Sequence, residues 1–177
     1  MANTHLFALI NIIGGTLVLG SYVACICFYP EYRESFWGGI QGNIRKLFIF
    51  SMIPATIGYF LFFYCAIFRP ESGIFEYRGL LGHNNINVLC LMFLLASSMW
   101  MPALVMYFKT DLIFWCVIVV VVLWITALSL ISMLFFVISS DTPLSFYKNV
   151  SICGLSYIIF HCFILDAVIW VVKLPVK

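Results

Sequence analysis

Between Asp111 and Asp141 the chain carries no charged side chain, and the run "CVIVVVVLWITALSLISMLFFVI" inside it is apolar on every side rather than on one face. A helix in water keeps a polar face, so the solvent implied for this run is lipid. Closed β-barrels also satisfy the backbone in lipid, but they read as alternating segments of about ten residues, and this run does not alternate. The remaining sequence obeys the same constraint. Charged residues make up 9% of the 177 positions and hydrophobic residues 64%, whereas roughly a quarter of a soluble domain is charged. Too few charges remain to cover a water-facing surface. The expected fold class is all-α, an integral membrane bundle with the lipid bilayer as its first partner.

Nearly charge-free runs of about 20 residues, the length that crosses a hydrocarbon core of about 30 Å, occur near 6–29, 46–68, 86–108, 112–139 and 149–172. The expectation is one domain, 1–177, of five transmembrane helices. Only "KTD" joins the third and fourth runs, which requires an antiparallel hairpin. Lys and Arg in short loops set orientation. Arg33, Arg45, Lys46, Lys109, Lys173 and Lys177 fall on one side, and Arg69, Arg78 and Lys148 on the other. This places the N-terminus outside and the C-terminus in the cytosol. No Lys or Arg precedes the first run, which is too long for the apolar core of a signal peptide, so it reads as a retained span. The sequon "NVS" at 149–151 abuts the fifth span and is expected to be unused. Nine Lys/Arg against seven Asp/Glu, with no basic run, gives no footprint for nucleic acid. The seven cysteines all lie in apolar segments and read as packing residues rather than a disulfide framework.

Special residues inside the spans narrow the function. Pro54 and Pro102 each lack an N–H and free a carbonyl four residues earlier, that of Phe50 and of Ser98; Ser51, Ser97 and Ser98 are the nearby hydroxyls. Two helices bowed at these prolines would open a cavity at mid-depth, although proline is common in membrane helices. Ser97, Trp100 and Leu104 share a helical face. Trp100 lies some eight residues from the end of its span, about 12 Å in, and its N–H needs an acceptor in the bundle or on a ligand. Asp166 is the one acidic residue within a span. Such a carboxylate faces the bundle interior or a wet cavity, unless Lys173 snorkels to relieve it. At α-helical spacing, Cys162, Asp166, Trp170 and Lys173 share one face. His161 has no second ligand at a suitable spacing and reads as a hydrogen-bonded core histidine rather than a haem or metal ligand. Gly14, Gly15 and Gly20 would admit a neighbouring helix closely. The loop "PEYRESFWGGIQGNIRK", with Trp37 among its charges, is either a lid at the interface or a connection. No Ser/His/Asp set on one side of the membrane, no His-x-x-x-His and no phosphate-cradling glycine loop is evident, so an enzyme is not expected.

Several of these places resemble the tryptophan-rich sensory protein / translocator protein (TspO) family, five-helix proteins of bacterial and mitochondrial outer membranes that bind tetrapyrroles and, in animals, cholesterol and benzodiazepine-type drugs. "ATIGYF" at 55–60 looks like the family's Met-Gly-Tyr region. "LLASSMWMPAL" looks like its Leu-Asn-x-x-Trp-x-Pro, with Trp100 and Pro102 matching. "LW" at 123–124 fits its helix 4 pair, and "LDAVIW" fits its Leu-Asn-x-x-x-Trp, with Trp170 matching. Of the family's first-loop motif only Trp37 remains, and its two asparagines are Ser97 and Asp166 here. The resemblance implies binding or carriage of a hydrophobic small molecule of the tetrapyrrole (porphyrin or haem) or sterol class, with no cofactor required. Ser97, Trp100, Asp166 and Trp170 would line the pocket, Pro54 and Pro102 would shape it, and Trp37 would cover it. A second reading makes the chain a non-enzymatic structural or assembly subunit of a larger membrane complex, in which the same groups hold helices together. Assembly as a homo-oligomer is compatible with either.

Overall fold

The computed structural model describes residues 2–69, 74–75 and 85–174. It is an all-α bundle of five helices, each long and apolar enough to cross a membrane: α1 (Ala2–Phe28), α2 (Gly42–Phe68), α3 (Asn85–Thr110), α4 (Ile113–Ile138) and α5 (Phe146–Lys173). These lie where the apolar runs place them, with informative differences at the ends. Helix α2 starts at Gly42 rather than near 46, and α5 at Phe146 rather than near 149, so Arg45 and Lys148 ride inside helices. A helix tolerates charge in its end turns where the long side chain reaches a polar partner, Glu34 for Arg45 and the carbonyls beyond α4 for Lys148. Arg78 and Lys177, counted above for orientation, lie outside the described residues.

Helix α1 packs on α3, α3 on α4, α4 on α5 and α5 on α2. The result is an arc whose two ends, α1 and α2, touch only sparingly. Their meeting point is at the end remote from the 29–41 loop. There the Phe7 ring lies 5.9 Å from Phe62 and 6.0 Å from Phe63, and the Tyr59 hydroxyl donates to Asn11 Oδ1 at 2.6 Å. Asn11 Nδ2 donates in turn to Cys90 Sγ at 3.2 Å, joining α1, α2 and α3.

Helices α2 and α5 approach backbone to backbone at Gly58 and Gly154. A Cβ on Gly58 would stand 2.7 Å from the Gly154 carbonyl oxygen, so neither position admits a side chain without moving a helix. Gly14 is similarly closed by Leu94 of α3, whereas a Cβ on Gly15 or Gly20 meets nothing within 4 Å among the described residues. Of the three glycines expected to admit a neighbour, one does. The α3–α4 hairpin is closed by Asp111 at φ 52°, a conformation that aspartate tolerates better than bulkier residues. At the far end of α4, the buried Lys148 ammonium donates to the carbonyls of Ser140 (3.1 Å) and Thr142 (2.9 Å), placing a cation at a helix C-terminus.

The interior is divided in two. One apolar cluster, with Phe48, Leu104, Val119, Leu165 and Trp170, lies beneath the 29–41 loop. The other, with Phe7, Phe62, Cys90, Met133 and Leu155, fills the opposite end. All seven cysteines are free, and four of them, Cys25, Cys65, Cys90 and Cys116, are buried as packing residues.

Candidate functional site

Polar side chains mark the level where the two apolar clusters meet. Ser51 stands in α2 between Phe48 of one cluster and Ala55 of the other, and His161 in α5 between Ile158 and Leu165. They pair across the helices, Ser51 Oγ lying 3.1 Å from His161 Nδ1, and both are buried. On its other side His161 Nε2 is 3.7 Å from Asp166 Oδ2, whose side chain keeps 26% of its exposure. At the same level Ser97 Oγ is 3.4 Å from Thr126 Oγ1, bridging α3 and α4.

His161 and Asp166 are five residues apart, which in an α-helix puts them about 140° apart around the axis. The pairing exists because Phe160–Trp170 is π-helical. In that geometry the backbone bond itself links residues five apart, so i and i+5 lie one above the other. The winding from Phe160 to Trp170 is therefore wider than the α-helix expected, while Cys162 and Asp166 still face the same neighbour, Tyr22. Ser51, His161 and Asp166 thus form a line at mid-depth that no sequence spacing announced. Its order is not that of an activated nucleophile. The Asp166 carboxylate stands beyond hydrogen-bond length from the ring, and the amides around Ser51 are spent in the α2 ladder rather than aimed at an oxyanion. The line braces α2 against α5 and presents a carboxyl group at its open end.

An aromatic group lies beside that open end. Trp100 of α3 meets Trp170 of α5 edge-on at 5.5 Å and Tyr22 of α1 at 5.7 Å. The Tyr22 hydroxyl is within electrostatic reach of Asp166 and Cys162, so α1, α3 and α5 converge here. Trp170 is 3% exposed and its indole donates to the Phe36 carbonyl at 3.0 Å. The Trp100 Nε1 is buried and has no hydrogen-bond partner among the described residues.

The 29–41 loop closes this end of the bundle. Its two short 3₁₀ turns, Pro30–Tyr32 and Ser35–Trp37, bury Phe36 and Ile40 against the upper cluster. The Gly39 N–H donates to the Lys173 carbonyl at 2.9 Å, and the Lys109 ammonium sits 4.0 Å over the Tyr29 ring. Of the two readings, lid or mere connection, the observed loop is a cap fastened to the last turn of α5.

The residues singled out in sequence thus divide. Trp100, Trp170 and Asp166 come together. Ser97 turns to Thr126 of α4 instead, and Trp37 lies in the cap under the Arg45 guanidinium, 4.6 Å from the ring centroid. Helices α2 and α3 continue unbroken through Pro54 and Pro102, and the Pro102 side chain is exposed on the outside of the bundle. Of the hydroxyls expected to serve the freed carbonyls, Ser51 is taken by His161, and Ser98 donates to Leu95 at 2.8 Å. Tyr22 was missed, and Ser51 was read only as a hydroxyl near a freed carbonyl, not as the partner of His161. A tyrosine or serine in an apolar run is too common to signal a site until its partner, more than seventy residues away, is known. A cavity of about 420 Å³ lies at the cap, between Trp37 and the ends of α2 and α3. Among the described residues no group of His, Cys, Asp and Glu is arranged to hold a metal ion. Comparison of the chain with protein-family models, curated proteins and solved structures finds no match.

Proposed function

We propose that this multi-pass membrane protein binds or carries a flat hydrophobic molecule with a polar group, of the tetrapyrrole or sterol class, between α1, α3 and α5 beneath the cap, as its resemblance to the TspO family implies. The observation that carries this reading is the Trp100 indole N–H, buried without an acceptor beside two aromatic rings. An unmet buried donor costs about 1–3 kcal/mol, and a ligand carbonyl or ring nitrogen would recover it. Tyr22, Trp100 and Trp170 supply aromatic walls, and Asp166 the polar point that fixes orientation. The sparse contact of α1 with α2 supports a route from the bilayer between them at the capped end. No chemical step is assigned to the site, and the role is binding rather than catalysis. The cap lies on the cytosolic side in this reading, so a C-terminal tag should be accessible from the cytosol and an N-terminal one should not.

Titration with protoporphyrin tests the site. Saturable quenching of tryptophan fluorescence is expected at micromolar concentrations, weakened by Trp100→Phe, which removes the N–H while keeping a ring. Asp166→Asn should preserve or strengthen it, because the amide keeps a hydrogen-bonding group at that point and can never ionise to repel the porphyrin propionates. Absence of saturable quenching in both detergent and lipid, with the helices intact, would favour the structural-subunit reading instead.

A further inference from the structure

The cavity at the cap is separate from the Trp100 site and has its own chemistry. Its wall includes Trp37 and Phe108 as apolar surfaces, with Ser35, Gln41, Glu34 and Arg45 as polar groups. At about 420 Å³ it falls in the range of small-molecule sites. Arg45 dominates it. The guanidinium lies over the Trp37 ring and gives Glu34 two bonds, Nη1 to Oε2 at 2.7 Å and Nη2 to Oε1 at 3.2 Å. This fork is the geometry with which arginine takes a carboxylate or a phosphate. Here it is filled from within the chain, by a carboxylate whose side chain is 81% exposed. An ion pair that open to water holds weakly and is readily exchanged for a better anion.

The surroundings favour a lipid as the exchanging anion. Arg45 is in the first turn of α2, at the level where the helix enters the membrane, and an indole beside it is typical of the headgroup zone. Gln41, the residue before α2, lines the cavity and makes no side-chain capping bond, so its amide is not spent on the helix end and is free to meet a headgroup. Ile44 and Leu47 on either side of Arg45, and Phe28 at the end of α1, are exposed apolar surfaces of the kind acyl chains cover.

The geometry points to an interfacial binding site for the phosphate-monoester headgroup of an anionic lipid, with Arg45 as its anchor, Trp37 as its floor and Glu34 as the internal anion it displaces. This does not depend on the intramembrane site, and its test uses no porphyrin. The full chain is placed in phosphatidylcholine bilayers doped with either brominated phosphatidic acid or brominated phosphatidylcholine, and the Trp37 emission is read as the difference from Trp37→Phe. Brominated phosphatidic acid should quench Trp37 at a several-fold lower mole fraction than brominated phosphatidylcholine. Glu34→Gln, which removes the competitor and leaves Arg45 free, should lower that fraction several-fold again, and Arg45→Gln should erase the preference. Identical quenching by the two lipids in both the parent chain and Glu34→Gln would overturn the site. Reversal of the preference by millimolar inorganic phosphate would assign the cavity to free phosphate and overturn the lipid as its occupant.

Discussion

Ser51→Ala isolates what holds an imidazole in the middle of the bundle. The bond it removes spans 3.1 Å between α2 and α5, and the two residues are 2% and 7% exposed. No water replaces the lost hydroxyl at that burial. A nitrogen left unmet costs about 1–3 kcal/mol, while the better helix propensity of alanine returns about 0.5 kcal/mol. Measured interhelical bonds in membranes average about 0.6 and reach about 1.7 kcal/mol. The net expectation is a loss of about 1 kcal/mol. For a chain of this length that is a fall of about 2–4 °C in the melting temperature, readable by circular dichroism in detergent. Ser98→Ala is the control: that hydroxyl bonds only within its own helix, to Leu95, and its removal should change stability by no more than about 0.5 kcal/mol. The decisive measurement is a double-mutant cycle with His161→Phe. Once the ring nitrogen is gone, Ser51→Ala should cost almost nothing. If the two substitutions instead add to within about 0.3–0.5 kcal/mol, serine and histidine do not interact and the brace between α2 and α5 is wrong.

Gly154→Ala drives a methyl group into the Gly58 carbonyl and should cost about 1–3 kcal/mol; Gly15→Ala meets open space and should be neutral or stabilising by up to about 1 kcal/mol. Equal melting temperatures for the two variants would refute the close approach. The hydrogen bond from Arg45 holds the Glu34 carboxyl below its ordinary value. A depressed value means that the pair is complete at neutral pH and separates only as pH falls through that lowered value. Trp37 emission should therefore change in acid, not across the neutral range, and Glu34→Gln should abolish the transition.

How much was legible in the sequence follows from the range of each interaction. Charge-free runs report their solvent through composition summed over some twenty residues, and that fixed the five spans, the α3–α4 hairpin and the membrane setting without any knowledge of partners. The depth of Trp100 and the rarity of Asp166 were legible for the same reason, since a polar group in lipid is costly whatever its neighbours are. Helix ends were misplaced at Gly42 and Phe146 because Arg45 and Lys148 look like loop residues until their long side chains find an anion or a helix end to serve. The partners themselves were not legible. Ser51 and His161 are 110 residues apart, Trp170 and the Phe36 carbonyl 134, and nothing local distinguishes the serine that meets a histidine from one that bonds its own helix, as Ser98 does. Periodicity also misled where the backbone changed its pitch: an α-helical count separates His161 from Asp166, and the π-helix brings them together. Sequence settled the solvent and the number of crossings because both are sums along the chain. Tertiary structure alone decided which polar groups were matched, which indole was left without an acceptor and which arginine was held by its own chain, because each depends on where a different helix comes to rest.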